Sequence, residues 1–174
     1  MVSIVDVWWA DLRSADLRRA DQLPPPERAR VAELTTPADQ GRRLVGALLL
    51  QSALRVARGL PSEATVDIDR TCDACGAQHG RPVATDGAGP HLTVSHSGLL
   101  IAVAACATAP VGIDVQRIGD APDVAAWVAL EARVKAGLAA GEGRELALQP
   151  PLPGYAAALA VGAAADVTVR LHLT

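Results

Sequence analysis

The fold is decided by the stretch HLTVSHSGLLIAVAACATAPVGIDVQ, residues 91–116. It predicts three strands, at 91–95, 99–106 and 111–116, because β-branched and aliphatic residues run between turn residues. The four residues ATAP, which separate the last two strands, predict a hairpin connection. This block therefore supplies the central strands of the fold.

The segments on either side alternate between strands and helices. Hydrophobic periodicity and Pro or Gly breaks predict a strand at 2–9, a short helix at 26–34, a long helix at 38–59, a short strand at 64–69, a Gly- and Pro-rich loop at 72–90, a helix at 123–141 and a closing hairpin of 155–162 with 166–173. This order predicts an α+β fold with two similar halves, 1–88 and 89–174.

Composition excludes several classes of function. The chain has 174 residues and a formal net charge of −3, whereas a nucleic-acid-binding domain is usually basic. No run of about 18 apolar residues predicts a transmembrane helix, and residues 1–12 carry no basic residue that would begin a signal peptide. Three cysteines, an odd number, argue against a disulfide scaffold. We expect a soluble, reduced, cytoplasmic protein with neither nucleic acid nor membrane as partner.

The strand at 111–116 presents two different faces. With a period of two, its three aliphatic residues share one face, and the other face carries Gly112, Asp114 and Gln116. An acid beside an amide can hold a divalent cation, and a glycine lets a ligand come close. The alternative is a solvated polar face with one acid on it, which this strand alone favours.

A second group of polar residues lies along the predicted helix at 123–141. Trp127, Glu131 and Lys135 are spaced four residues apart and so share one stripe. Glu131 and Lys135 are in the order of an ordinary surface ion pair, worth roughly 0.2–0.5 kcal/mol. Lys135 is nevertheless the sole lysine beside 15 arginines, and a compact ammonium is preferred where a phosphate oxygen must be reached at one point.

Five further residues have side chains suited to binding an anion. Ser95 and His96 end a strand, Arg42 and Arg43 lie near the start of the long helix, where backbone N–H groups favour an anion, and Arg81 follows in the segment HGRP. Each has an ordinary alternative, a capped strand end or a solvated charge.

Cys72, Cys75 and His79 have the spacing of a zinc knuckle. Candidates for a fourth ligand are Asp69, His91 and Cys106, none at a motif spacing. The alternative is reduced structural cysteines. A zinc ion here would be a structural clip on a loop.

Taken together in chain order, these segments resemble the 4′-phosphopantetheinyl transferases of the surfactin-synthetase-activating type. The blocks that carry the resemblance are DQGRRLVGALLLQSAL, HGRP, LTVSHSG, PVGIDVQ, the W-xxx-E-xxx-K helix and PGYAAALAV. The resemblance implies a pseudo-twofold α+β fold with coenzyme A in the cleft between the halves. It also implies an enzyme that moves phosphopantetheine from coenzyme A onto a serine of an acyl or peptidyl carrier protein.

The resemblance implies roles residue by residue. Asp114, Gln116 and Glu131 would hold Mg²⁺, Glu131 would be the base for the carrier serine, and Lys135 would steady the leaving phosphate. The remaining anion contacts would come from Arg42, Arg43, Arg81, Ser95 and His96. We expect a monomer, with a homodimer that rebuilds the cleft as the alternative.

The chain also departs from the family pattern. Gln116 replaces a common Glu, Leu130 replaces a common Lys, and only 11 positions (127 − 116) separate Gln116 from Trp127, where the family places several dozen residues. Three other functions therefore remain open: a degenerate, non-catalytic binder of coenzyme A, a zinc-clipped interaction module and a plain structural domain.

Overall fold

A computed structural model describes residues 2–162 and 166–173. In chain order, the elements are β1 (Val2–Asp11), α1 (Pro25–Ala32), α2 (Pro37–Arg58), β2 (Ile68–Thr71), β3 (Gln78–Ala84), β4 (His91–Ser97), β5 (Leu100–Cys106), β6 (Val111–Arg117), α3 (Val124–Ala136), β7 (Arg144–Leu148), β8 (Tyr155–Val161) and β9 (Asp166–Leu173), with short 3-10 turns at Leu12–Ser14 and Leu17–Gln22. The α+β class is as expected. Among these residues no helix is both long and apolar enough to cross a membrane.

Two sheets pack face to face, and each carries a helix on its outer face. The first sheet has the strand order β4-β5-β1-β9, the second has β6-β8-β7, and β2 and β3 form a separate two-stranded sheet. Aliphatic side chains of β1, β5, β6 and β8 fill the space between the two larger sheets. Alternate residues of β1 and β5 pack against α2, while α3 packs against β8. The period of two in each strand thus supplies two apolar layers at once.

The helices begin and end where local chemistry predicts. The side chain of Thr36 accepts a hydrogen bond from the backbone N–H of Asp39, and Pro37 begins α2. Asp123 caps α3 in the same way. Gly59 and Gly137 follow the two helices in the left-handed conformation that favours glycine.

Three predicted connections are wrong. Strands β5 and β6 do not form a hairpin, because β6 pairs with β8 in the second sheet and the β5 hairpin is with β4. Strands β8 and β9 do not close a hairpin, because β9 pairs in parallel with β1. The segment 72–90, predicted as a loop, contains β3. In addition, the strand β7 was not predicted. The strands β5 and β8 are largely buried on both faces, so alternation could not show which neighbour each would take.

The boundary between the expected halves falls in the loop before β4. Strands β4, β5 and β9 lie beyond residue 88, and they complete the sheet that contains β1. The division into two halves, residues 1–88 and 89–174, with a ligand cleft between them, stays a prediction.

A buried carboxylate fastens β9 to the neighbouring strand. Asp6, which is 6% exposed, accepts hydrogen bonds from Arg170 Nε at 2.8 Å and Nη2 at 2.6 Å. His172 Nε2 lies 2.8 Å from the same carboxylate and its ring stacks on Trp8. Burial raises the pKa of Asp6, but the hydrogen bonds from Arg170 and His172 outweigh it and hold the pKa below its ordinary value.

We predict that Asp6→Asn lowers the free energy of unfolding by about 1–3 kcal/mol at pH 7, the usual cost of losing a charge-assisted bond. Because the folded-state pKa is lowered, this stabilisation is present above the unfolded-state pKa of about 3.9 and is lost as the pH falls through the folded-state value. Urea unfolding of both proteins between pH 7 and 3 measures it. A gap that stays constant down to pH 3 would contradict the ionic origin.

Candidate functional site

Three hydroxyl side chains of β4 join the two large sheets. Thr93 Oγ1 accepts a hydrogen bond from the backbone N–H of Ile113 at 3.3 Å, and Ser95 Oγ accepts one from Val115 at 3.3 Å. Ser97 Oγ continues the pattern with Arg117 at 3.1 Å. On the edge of β6 that faces away from β8, these hydroxyls accept the hydrogen bonds that the carbonyl groups of a neighbouring strand would otherwise accept. The alternation T-x-S-x-S in the sequence therefore positions β6 beside β4.

Ser95 also fixes the acid of β6. Its Oγ donates to Asp114 Oδ1 at 2.8 Å, and Asp114 is 5% exposed. The face that carries Asp114 is covered by α3, since a Cβ built on Gly112 would lie 1.9 Å from the carbonyl oxygen of Ala132. The interpretation of this face as a solvated sheet surface is therefore wrong. Glycine at position 112 is required by the close approach of the helix.

The sole lysine reaches the same acid. Lys135 Nζ donates to Asp114 Oδ1 at 2.6 Å. The ordinary surface pair with Glu131 does not form within the described part of the chain. Both hydrogen bonds to Asp114 use Oδ1, so in that same part Oδ2 keeps its lone pairs for another ligand.

A cavity of 570 Å³ opens beside Asp114, within the size range of small-molecule sites. Its walls come from α2, the β2–β3 hairpin, β4, β6 and α3. Eight residues singled out in the sequence for a coenzyme A or magnesium site line it: Arg42, Arg43, Ser95, His96, Asp114, Gln116, Glu131 and Lys135. Trp127, which is 47% exposed, lies at the same wall. Residues spread over 94 positions of sequence (135 − 42 + 1) thus meet in one place.

The arginines of the cavity differ in how far their charge is already matched. Arg42 Nη2 lies 2.5 Å from Asp39 Oδ1. Arg43 forms a bidentate ion pair with the half-buried Glu27 and also donates to the carbonyl oxygen of Gln78 at 3.0 Å. Arg43 therefore links α1, α2 and β3. Its charge is largely neutralised by Glu27.

Arg70 is a candidate site residue that sequence reasoning missed. It lines the cavity from β2, and no residue in the described ranges supplies it with a carboxylate partner. Its Nε makes one long contact, 3.4 Å, to the carbonyl oxygen of Gly80. Burial and the neighbouring charges of Arg43 and Arg30 lower the pKa of Arg70 and outweigh the opposing charge of Glu27, so an anion at this position would relieve an unfavourable charge. Its sequence context, between Asp69 and Thr71, gave no signal.

His96 faces the same positive region. Burial lowers its pKa first, and the charges of Arg42, Lys135 and Arg70 lower it further. The imidazole is therefore neutral at pH 7, with one ring N–H to donate.

Arg81 lines an adjoining cavity of 340 Å³ rather than the main one. The two cavities share four residues, Arg70, His79, Val94 and Lys135. Arg81 Nη2 lies 2.9 Å from His91 Nδ1, so the described contacts of Arg81 leave it free of any carboxylate.

A third cavity, of 280 Å³, lies between α1 and β2. Its lining includes Glu27, which pairs with Arg30 and with Arg43, and it shares Arg70 with the main cavity. The main cavity alone brings together the unmatched Arg70, the carboxylates of Asp114 and Glu131, and Lys135.

The three cysteine and histidine residues predicted to bind zinc meet at the tip of the β2–β3 hairpin. The ligand atoms of Cys72, Cys75 and His79 all lie within 4.8 Å of one another. None of the three suggested fourth ligands joins them. Cys106 is buried in β5, His91 contacts Arg81, and Asp69 accepts from Thr71 and Gln78.

Comparison with known proteins adds no relative. No known protein family matches the sequence, and no characterised protein matches it either. What supports a function is therefore the arrangement of the cavity residues themselves.

We predict that Ser95→Ala and Ser97→Ala each lower the free energy of unfolding by about 1–3 kcal/mol, because each leaves a backbone N–H of β6 without its acceptor. Only Ser95 also holds Asp114. Calorimetric titration with Mg²⁺ and pyrophosphate should therefore show weaker binding for Ser95→Ala and unchanged binding for Ser97→Ala. Equal binding by the two variants would contradict a role of Ser95 in orienting Asp114.

Proposed function

We propose that this protein transfers the 4′-phosphopantetheine group of coenzyme A to a serine of an acyl or peptidyl carrier protein. The observation that carries the proposal is the meeting of Ser95, Asp114, Glu131 and Lys135 with unmatched positive charge in one cavity. Coenzyme A has a pyrophosphate and a separate 3′-phosphate, so its binding site needs distributed positive charge together with acids that can hold a metal ion.

The residues present fit a magnesium ion. Asp114 and Glu131 offer carboxylate oxygens, the ligands that Mg²⁺ prefers, and Asp114 Oδ2 has no hydrogen-bond partner within the described ranges. Gln116 adds an uncharged amide oxygen; its Nε2 lies 3.4 Å from Asp120. When bound, the ion would neutralise charge on the pyrophosphate. The absence of a third carboxylate predicts weaker affinity for the ion than a three-acid site would have.

The chemistry proposed for the site is a single displacement at phosphorus. The serine oxygen of the carrier forms a bond to the phosphorus that bears pantetheine, and the bond to the bridging oxygen breaks. The bridging oxygen leaves with 3′,5′-ADP. Glu131 accepts the serine proton, and Lys135 donates a hydrogen bond to the leaving phosphate. Positioning and charge neutralisation supply most of the rate in such reactions.

The cationic side chains and the neutral imidazole of His96 are proposed to divide the phosphates among them. Lys135 and Arg70, which line both the main and the adjoining cavity, are placed for the pyrophosphate. Arg42, His96 and Arg81 are proposed to hold the 3′-phosphate end of the nucleotide. Arg43 is proposed to be a positioning residue, because its bond to the Gln78 carbonyl holds the β2–β3 hairpin against α2.

The exposed face of α3 supports a carrier protein as the second substrate. Trp127, Leu130 and Val134 are 47%, 51% and 63% exposed and lie beside the cavity on one helix. A carrier that contacts this apolar stripe would bring its serine next to Glu131. This stripe would take the place of the longer segment that the resembled family inserts before its W-xxx-E helix.

The architecture agrees with the proposed family. Each large sheet contains a core of antiparallel strands covered by one helix, α2 on the first and α3 on the second. We propose that these two layers are the pseudo-twofold halves, with the cavity at their junction; the first layer draws strands from both sequence segments, 1–88 and 89–174. A cytoplasmic monomer is proposed, since both substrates occur in the cytoplasm and the eight site residues predicted from the sequence already meet within one chain.

A non-catalytic binder of coenzyme A is the second candidate. It is favoured by Gln116 at a position where a charged ligand would bind metal more strongly, and by the direct contact of Lys135 with Asp114. Such a protein would bind coenzyme A without dependence on Mg²⁺.

The test is mass spectrometry of apo carrier proteins from fatty acid, polyketide and peptide pathways, incubated with the protein, coenzyme A and Mg²⁺. We predict the phosphopantetheine mass increase on at least one carrier, and its loss with EDTA. Glu131→Gln should slow transfer by about 100-fold or more, as expected for loss of a general base.

The matched control is Glu63→Gln, an exposed glutamate beyond the other end of α2, which should leave transfer unchanged. An equal rate in Glu131→Gln and the unaltered protein would contradict the role of Glu131. Binding of coenzyme A without modification of any carrier would favour the non-catalytic binder, and the absence of binding would contradict both candidates.

A further inference from the structure

The tip of the β2–β3 hairpin brings two thiols and an imidazole together. Cys72 and Cys75 lie in the turn after β2, and His79 lies in β3. Cys75 Sγ is 3.0 Å from His79 Nε2, and all three ligand atoms lie within 4.8 Å. Ligand atoms around a tetrahedral zinc ion are about 3.5–3.8 Å apart, given zinc–ligand distances of about 2.3 Å for sulfur and 2.0–2.1 Å for nitrogen. Small side-chain shifts therefore suffice to seat the ion.

The backbone of the turn is arranged around the first thiol. Hydrogen bonds from the backbone N–H groups of Ala74 and Cys75 to the thiol of Cys72 lower its pKa, with a further contribution from the Cys75 side chain. Gly76, at a φ of 72°, turns the chain back, and the backbone N–H of Cys72 donates to Ala77 at 2.8 Å. These backbone contacts hold the turn in the conformation that brings the three ligand atoms together.

The β2–β3 hairpin has few stabilising contacts of its own, so a bound metal ion would stabilise it. It is a separate two-stranded sheet, and such a pair is marginally stable alone. Residues alternate between half-buried and exposed along β2, and the register shifts between Asp69 and Thr71. The same hairpin carries Arg70, Gln78 and His79 into the wall of the main cavity.

We propose that Cys72, Cys75 and His79 bind one Zn²⁺ ion, with solvent as the fourth ligand, and that this ion fixes the hairpin wall of the main cavity. The ion joins the end of β2 to the start of β3, and so holds the Gln78 carbonyl against Arg43. Two thiolates balance the charge of the dication, so the ion adds no net charge beside Arg70. The proposal concerns metal binding and order in the hairpin, and it stands whether or not the protein transfers phosphopantetheine.

The test is metal content after purification without chelator, followed by titration of the metal-free protein with Co²⁺. We expect one equivalent of zinc per chain. With Co²⁺ we expect the near-ultraviolet thiolate charge-transfer band and the strong visible bands of four-coordinate cobalt. Cys72→Ser, Cys75→Ser and His79→Gln should lose stoichiometric binding, while Cys106→Ala, which removes the cysteine buried in β5, should keep it.

A second readout addresses the hairpin. Zinc should raise the melting temperature of the metal-free protein, because an ion that binds only the folded state stabilises it, and the His79→Gln variant should show no such rise. A folded protein that binds no zinc or cobalt, or variants at Cys72 and Cys75 that bind as the unaltered chain does, would overturn the proposal. Coenzyme A is absent from all of these measurements, so their outcome is separate from that of the transfer assay.

Discussion

The hydrogen bonds that the backbone N–H groups of β6 donate to the hydroxyls of β4 are the contacts on which the rest of the structure depends. Two sheets that share a core still need a defined lateral position, and apolar packing alone does not specify one. The bonds accepted by Thr93, Ser95 and Ser97 set the register at steps of two residues. A hydroxyl can donate and accept at once, and Ser95 uses both capacities, accepting from β6 and donating to Asp114. Register and site are therefore set by the same side chain.

That arrangement explains the electrostatics of the cavity. Asp114 is nearly buried yet satisfied on one oxygen by Ser95 and Lys135, so its charge is tolerated. Around it, Arg42 and Arg43 are matched by Asp39 and Glu27. Arg70 is left with burial and like charges that lower its pKa. A polyphosphate bound together with a divalent cation would place negative charge beside Arg70 and positive charge beside Asp114.

The sequence could predict much of this site because its residues stand in short, strongly patterned segments. The i, i+4, i+8 spacing placed Trp127, Glu131 and Lys135 on one stripe, and all three line the cavity. The alternation in β6 separated Asp114 from the aliphatic face correctly. What covers that face could not be predicted, because it depends on the approach of α3 to Gly112, a tertiary contact.

Other features had no local signal. The strands β5 and β8 are apolar on both faces, so their partners and the crossing of β9 to β1 could not be predicted from periodicity. Glycines and prolines made the segment at 72–90 resemble a loop, although it contains β3. Arg70 had no signal in the sequence, because the charges that surround it, those of Arg43, Glu27 and Arg30, come from α1 and α2 and not from β2 itself.

The most direct test of the central claim is calorimetric titration of coenzyme A into the protein and into Arg70→Gln, with Arg28→Gln as a control on the exposed face of α1. The account predicts saturable binding of one coenzyme A to the unaltered protein and to Arg28→Gln. It predicts binding at least about tenfold weaker to Arg70→Gln, the loss expected for one charge-assisted contact. Folded protein that binds no coenzyme A, or that binds it equally with and without Arg70, would contradict the claim that this cavity is a phosphate site.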